Sequence, residues 1–258
     1  VKPAFDENFF RHINEARIAE TGHPSRAFSL LETLMANPVV RIPLSIFEKL
    51  ATFILTLPIP IYASIIRLFV DNARGLPRFS GVYLRALYYR GIVKDMESNV
   101  MIEQGVFLAH PKSITLKEFS FLDKNVVIMA RNCYIGRRVH IAVNSFVNGG
   151  GDFYAGDYSG VSPGCQFMTS TEVLKGGARC SGPMVSADQR NVHRGKVVLE
   201  KDAFVGAGST ILTDVIVAEG SVIGGGVTVS RSTEPWGIYV GAKPALIGHR
   251  DKVKHPDN

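Results

Sequence analysis

Cysteine and tryptophan are scarce in this sequence, which has three cysteines, Cys133, Cys165 and Cys180, and one Trp in 258 residues. So few thiols, and an odd number of them, exclude a disulfide-stapled scaffold and point to reduced cysteines in a cytoplasmic setting. No CxxC and no Cys/His pair at metal-ligand spacing occurs, so no metal site is expected. A run that could cross a bilayer is missing too. Leu50 to Ile66 carries no charge, but a spanning helix needs about 20 apolar residues, and Pro58 and Pro60 break the stretch. Val1 to Arg26 lacks the apolar core of a secretory signal. Acidic residues are nearly absent between Arg41 and Lys94, where only Glu48 and Asp71 face eight basic residues. That excess equals the whole net charge of +6.

The chain does have ample apolar material. At 46% hydrophobic it can bury a substantial core, which excludes general disorder. Residues 1–95 show helical spacing, as in Phe9, Ile13, Ala16 and Ala19, or Phe28, Leu31, Leu34 and Met35, and two or three helices are expected there. The basic residues of 41–94 are interleaved with large apolar ones rather than forming a solvated stripe, which argues against nucleic-acid binding. Two readings of this region stay open: packing between copies of the chain, or peripheral contact with the inner face of a membrane.

After Asn99 the texture changes, and the deciding observation is a fixed period of six. Leu199, Val205, Ile211, Val217, Ile223 and Val229 follow one another at that spacing without a miss. Four places after each of the first five stands a small or β-branched residue: Ala203, Ser209, Val215, Ser221 and Val227. The spacing recurs upstream in Ile102, Leu108 and Ile114, in Leu116, Leu122 and Ile128, in Ile135, Ile141 and Val147, and in Ala155, Val161 and Phe167, with the phase slipping by one or two residues between sets. A left-handed parallel β-helix explains this, with three short faces per coil and one inward aliphatic residue per face. Gly206, Gly208, Gly220 and Gly224 to Gly226 are expected at its corners. The fold class is therefore mainly β, a left-handed parallel β-helix over 96–250 with an N-terminal α-helical region, 1–95, and a short tail, 251–258. One polar excursion, 169–196, interrupts the repeat and is too long for a corner turn.

These residues resemble the hexapeptide-repeat acyltransferases, near the maltose, galactoside and xenobiotic acetyltransferase branch and the O-acetyltransferases of surface polysaccharides. The likeness covers Leu84 to Arg250 and is carried by Gly156–Cys165 (GDYSGVSPGC), Val197–Leu212 (VVLEKDAFVGAGSTIL) and the terminal stretch Pro235–Arg250 (PWGIYVGAKPALIGHR). The resemblance implies a homotrimer, with acetyl-CoA as acyl donor in the groove between subunits. On that basis the pantetheine arm is expected near Gly206, Ala207, Gly225 and Gly226, and the CoA phosphates near Lys243, Arg250 and Lys252.

Acyl transfer needs a base for the acceptor's proton and donors for the developing oxyanion. In the maltose and galactoside branch a His followed by Pro comes soon after the coil matching Val161 to Phe167. Here that place reads Thr169, Ser170, Thr171 and Glu172, so the family's base is not carried over. His193, at the end of the excursion, is the first candidate for the base and His140, on a corner, the second. His110 lies in an early coil and is read as structural. Glu172 or Asp188 is the expected carboxylate partner of an imidazole. The function expected is acetyl-CoA-dependent O-acetylation of a sugar hydroxyl on a surface polysaccharide or lipid-linked glycan. N-acetylation of an amino-sugar nucleotide and a non-catalytic trimeric scaffold are the alternatives. A γ-type carbonic anhydrase would need three converging His ligands, and a sugar-nucleotide pyrophosphorylase would need a Gly-rich nucleotide loop before the coil; neither pattern is present.

Overall fold

The computed structural model describes residues 3–57, 65–67, 70, 78–173, 184, 187–241 and 245–249. Among these, four helices precede a three-sided coil of short strands: α1 (Glu7–Thr21), α2 (Arg26–Ala36), α3 (Pro38–Leu55) and α4 (Arg78–Ile92). α1 opens on Asp6, whose side chain accepts from the Asn8 amide, and closes on Gly22 at φ 74°. α3 opens on Asn37, whose side chain accepts from the Val39 amide, with Pro38 in the first turn. The apolar spacing locates α1 and α2; α3 and α4 are not located by it, and the described helices exceed the two or three expected. In α4 the reason is its burial. Its Val82, Ala86, Leu87, Tyr88 and Tyr89 are all buried, so it has no single apolar stripe to read.

The coil is a parallel β-helix. The first sheet stacks Asp95–Met96, Ile114–Leu116, Asn132–Ile135, Asp152–Ala155, Lys196–Leu199 and Ile216–Val217. The second runs from Met101–Ile102 through Phe121–Leu122, His140–Ile141, Gly160–Val161, Phe204–Val205 and Val222–Ile223 to Gly237–Val240. The third stacks Phe107–Leu108, Val127–Ile128, Phe146–Asn148, Gln166–Met168, Thr210–Ile211 and Thr228–Val229. Pairing within these stacks is parallel; only the final strand, Ala245–His249, returns antiparallel and closes the second sheet. The six residues of the unbroken repeat, Leu199 to Val229, are at most 1% exposed.

The phase slips have one location. From the first sheet to the second, and from the second to the third, the inward residues stay six apart in every full coil, as in Ile135, Ile141 and Val147. Extra residues enter only where the chain passes from the third sheet back to the first: between Leu108 and Leu116, Ile128 and Ile135, Val147 and Ala155, and, with the long excursion, Phe167 and Leu199. One edge of the prism thus takes up all the variation in coil length.

The glycines divide into two kinds. Gly208, Gly220 and Gly226 have positive φ, as expected for corners, whereas Gly206, Gly224 and Gly225 do not. Gly206 is needed for proximity instead: a β-carbon there would come within 2.7 Å of the Gly224 carbonyl carbon and the Gly225 nitrogen of the next coil.

The helices close the first coil. Arg85 on α4 donates from Nε to the Ile102 carbonyl at 2.7 Å and pairs with Glu103 at 3.3 Å, both side chains buried. The Tyr89 hydroxyl donates to the Val106 carbonyl at 2.6 Å. The Asp6 amide donates to Asn99 Oδ1, and Asn99 Nδ2 donates back to Asp6 Oδ1. Carbonyls that another coil would occupy are thereby satisfied by side chains.

Because a two-residue strand such as Thr210–Ile211 has a single inward anchor, truncating it leaves a cavity that its rigid neighbours cannot fill. Ile211→Ala is expected to lower stability by about 2–5 kcal/mol, and the outward neighbour substitution Thr210→Ala by less than about 0.5 kcal/mol, both measured by urea unfolding.

Candidate functional site at one edge of the coil

The excursion leaves and rejoins the coil as a two-stranded arm, Ser170–Glu172 paired antiparallel with Val192–Arg194. Its base is fastened by backbone and hydroxyl alike. Buried Thr169 donates from Oγ1 to the Asn148 carbonyl and accepts from the Gly151 amide, and the Gly195 amide donates to the Thr169 carbonyl at 3.0 Å. A β-carbon at Gly151 would overlap the carbonyls of Thr169 and Gly195, so the preceding coil has no room for a side chain under the arm.

At this base His193 meets Asp214. Nε2 of the imidazole lies 2.5 Å from Oδ2, and the Lys196 amide donates to Oδ1 at 3.1 Å. Both side chains are about half exposed, at 51% each, so the pair faces solvent. The hydrogen bond to His193, followed by the Lys196 amide, holds the Asp214 carboxyl below the usual carboxylate range. Asp214 itself sits at φ 62°, in the corner of the coil that follows the arm. An imidazole held at one nitrogen by a carboxylate is oriented and presents its other nitrogen for proton transfer.

Sequence reasoning named Glu172 or Asp188 as the carboxylate. In the register of the arm, Thr171 faces His193, and Glu172 faces Val192; strand alternation therefore turns Glu172 to the opposite side from His193. Asp188 lies in a short 3-10 turn, Ala187–Gln189, before the returning strand of the arm, whereas the carboxylate on His193 is that of Asp214. The missed signal was the length of the coil. Val198 pairs with Ile216, a step of 18, so residue 214 falls one coil beyond residue 196 and under the end of the arm.

His140 is placed apart from this pair, on the outer face of the second sheet. Its ring stacks on Phe121 at 4.8 Å between centroids, and Nε2 lies 3.7 Å from Asp123 Oδ2. Gly206, Ala207, Gly225 and Gly226 do come together: the Gly226 amide donates to the Ala207 carbonyl at 2.8 Å, and a β-carbon on Gly225 would lie 3.3 Å from that same oxygen. Lys243, Arg250 and Lys252 lie outside the described residues. The thiols of Cys133 and Cys165 are buried and pushed up by burial, which removes both as thiolate nucleophiles near neutral pH. Among the described residues no group of His, Cys, Asp or Glu could hold a metal ion.

Beside the arm the outer face of the first sheet carries a cleft of about 340 Å³. Lys94, Asp152 and Lys196 border it, and Tyr134 and Tyr154, stacked at 4.8 Å, form its floor. Arg131 holds Asp152 through two hydrogen bonds and keeps its carboxyl low. Lys196 joins cleft and pair, since its backbone amide is the second donor to Asp214.

Comparison with known proteins follows the coil. Residues 196–231 match the bacterial transferase hexapeptide family, described as six repeats. The solenoid carries the hexapeptide repeat. A dTDP-4-amino-4,6-dideoxy-D-glucose acyltransferase of Escherichia coli is 34% identical over 114 residues, 44% of this chain; the match spans 59% of that relative's length. The structure of AntD, an N-acyltransferase from Bacillus cereus, in complex with dTDP and 3-hydroxybutyryl-CoA, superposes with a TM-score of 0.58 at 27% identity, covering 62% of this chain and 85% of AntD. A hexapeptide-repeat acetyltransferase from Vibrio cholerae complexed with acetyl coenzyme A shares the fold at 14% identity, with a TM-score of 0.51 over 84% of this chain and 92% of that one.

The His193–Asp214 contact ties the arm to the coil, and its dependence on pH has a definite sign. Asp214 has a depressed pKa in the folded state, so the tie is fully present above the ordinary carboxylate pKa and is lost as pH falls through the depressed value. Amide exchange at Thr171 and Gly195 is expected to stay slow from neutral pH down through the ordinary carboxylate range and to quicken only below it. In Asp214→Asn it should be faster at neutral pH and lack that acid step, as read by hydrogen-exchange mass spectrometry.

Proposed function

We propose that this protein is an acyl-CoA-dependent N-acyltransferase whose acceptor is a nucleotide-linked amino sugar. The observation that carries the reading is the relationship to the Escherichia coli dTDP-amino-sugar acyltransferase at 34% identity. Crystals of AntD variants containing both dTDP-4-amino-4,6-dideoxyglucose and coenzyme A, at 26% identity, support it. In this reading His193 is the base and Asp214 its positioning partner. The acceptor nitrogen attacks the thioester carbonyl carbon, the C–N bond forms and the C–S bond breaks. The proton lost from nitrogen passes to His193 and from there to the departing CoA sulfur. The donor's pantetheine arm lies along the small-residue edge at Gly206, Ala207, Gly225 and Gly226, where the lack of side chains permits close approach. Lys94 and Lys196, at the border of the first-sheet cleft, supply cations for the acceptor's diphosphate. A homotrimer with donor grooves between copies belongs to the same proposal.

O-acetylation of a surface polysaccharide is the second reading. The likeness of the terminal stretch Pro235–Arg250 to the maltose, galactoside and xenobiotic branch favours it, and a His–Asp pair serves a hydroxyl as well as an amine. The acceptor decides between the two. In a thiol-release assay with acetyl-CoA, a dTDP-linked 4-amino-4,6-dideoxyhexose is expected to be acylated and the matching 4-hydroxy sugar nucleotide left unchanged; the reverse preference would establish the second reading. His193→Ala is expected to lower kcat by about 10²–10⁴-fold with CoA affinity unchanged by calorimetry. A variant with full turnover would exclude His193 as the base.

A further inference from the structure

The outer face of the first sheet carries an unfinished stack of rings. Four strands in register place Thr115, Tyr134, Tyr154 and Val198 one above another, one per coil. Strand alternation turns all four outward, since Cys133, Phe153 and Val197 beside them are buried. The two tyrosine rings lie 4.8 Å apart between centroids and 7° from parallel, the separation that neighbouring strands impose. On the next coil Val198 is too short to continue the stack. The face of Tyr154 turned to that coil is therefore uncovered beyond the valine methyls, and the residue is 42% exposed. Thr115 leaves the far face of Tyr134 similarly short of cover, but the cation on its strand, Lys117, is already held by Asp95 and Glu97. At the Val198 end, Lys196 stands two residues back on the same strand, exposed and on the same face. Asp152, in register with Lys196, has its charge compensated by two hydrogen bonds from Arg131. The first-sheet cleft of about 340 Å³ runs along this column, within the range of small-molecule sites, about 300–1,000 Å³.

We propose that the missing ring is the base of the acceptor nucleotide, lying over Val198 with its face against Tyr154, so that the stack reads Tyr134, Tyr154, base. The diphosphate then falls at Lys196 and the sugar amine at His193 and Asp214. The inference deepens the acyl-transfer reading and rests on it for the identity of the nucleotide. The order along the chain fits: Lys196 lies about 7 Å from Val198 along the strand, and His193 comes three residues before Lys196. Base, phosphate and sugar thus run in one direction along a single strand and the arm that feeds it. A flat ring is what the stack lacks, and every base has a π-face to offer, so the column fixes where the base lies. Coenzyme A also carries a base and phosphates. Its pantetheine arm is assigned to the edge at Gly206 and Gly226, between the second and third sheets and opposite the first.

Calorimetric titration of the full chain with dTDP, inorganic pyrophosphate and coenzyme A tests the stack without turnover. dTDP is expected to bind. Tyr154→Ala should weaken it by about 5–100-fold, the range of one base–aromatic stack, and Tyr154→Phe should retain full affinity. Val198→Phe supplies the third ring from the chain itself and should also weaken dTDP, by at least about 5-fold, although it adds an aromatic group instead of removing one. Pyrophosphate, which has no ring, and coenzyme A should be indifferent to all three substitutions. No dTDP binding, unchanged dTDP affinity in Tyr154→Ala, or an equal loss for pyrophosphate would overturn the proposal. Weakening of coenzyme A in place of dTDP would overturn it too, assigning the column to the donor's adenine, as would a fall in oligomer mass for Tyr154→Ala, assigning it to a contact between copies. The two readings fail separately. Acylation of the dTDP-linked amino sugar with a KM unaltered by Tyr154→Ala refutes the stack alone, whereas dTDP binding through Tyr154 with neither sugar nucleotide acylated refutes the acyl-transfer reading alone.

Discussion

Stacking of inward apolar residues, one in each two-residue strand and two in longer strands such as Lys196–Leu199, is the constraint on which this molecule is built. A two-residue strand buries almost nothing alone; its anchor gains contacts only from the anchors one coil above and below, as Val161 does between Ile141 and Val205. The columns hold only while successive coils stay in register. Two of the three corners therefore keep a constant six-residue step, with residues such as Asn125, Asn144 and Gly208 in the left-handed region. Insertions are confined to the remaining edge, where they leave the prism without disturbing either column. The arm bearing His193 grows from that edge, and Asp214 occupies the same edge one coil later.

This arrangement sets how rigid the candidate site is. His193 belongs to the inserted arm, but its partner belongs to the coil, whose strands are anchored by fully buried side chains. The arm is held at its foot by Thr169, Gly195 and the His193–Asp214 contact, all within a few residues of the prism. A side chain so placed combines the reach of a loop with the positional definition of a scaffold, which a proton-transfer role demands.

At the other end, a parallel coil ends on an open rung whose carbonyls need donors. Arg85 and Tyr89 on α4 supply them, and the buried pair Arg85–Glu103 leaves no unpaired charge in the contact. With α4 committed to the coil and the Phe5, Phe9 and Phe10 cluster filling the space beneath, α3 is left on the outside. Its inner side is satisfied through Glu48 and Tyr83, and its outer side stays apolar. The capping of the coil and the exposed apolar side of α3 are two consequences of a single packing.

The sequence alone determined the coil, because a period of six aliphatic residues is local information that needs no partner to be read: the anchors Leu199 to Val229, the three faces and the position of the excursion were all legible. It also showed the basic, acid-poor character of residues 41–94 and named His193. Only the tertiary structure decided which carboxylate meets that imidazole, since Asp214 lies 21 residues away along the chain but 2.5 Å away in space, and Glu172, equally distant in sequence on the other side, is turned aside by strand alternation. It decided as well that Gly206 serves coil-to-coil proximity rather than a left-handed corner, and that α4 is buried on several sides and therefore shows no stripe. Each of these depends on what lies one coil or one helix away, and a residue's own neighbours along the chain hold no record of it.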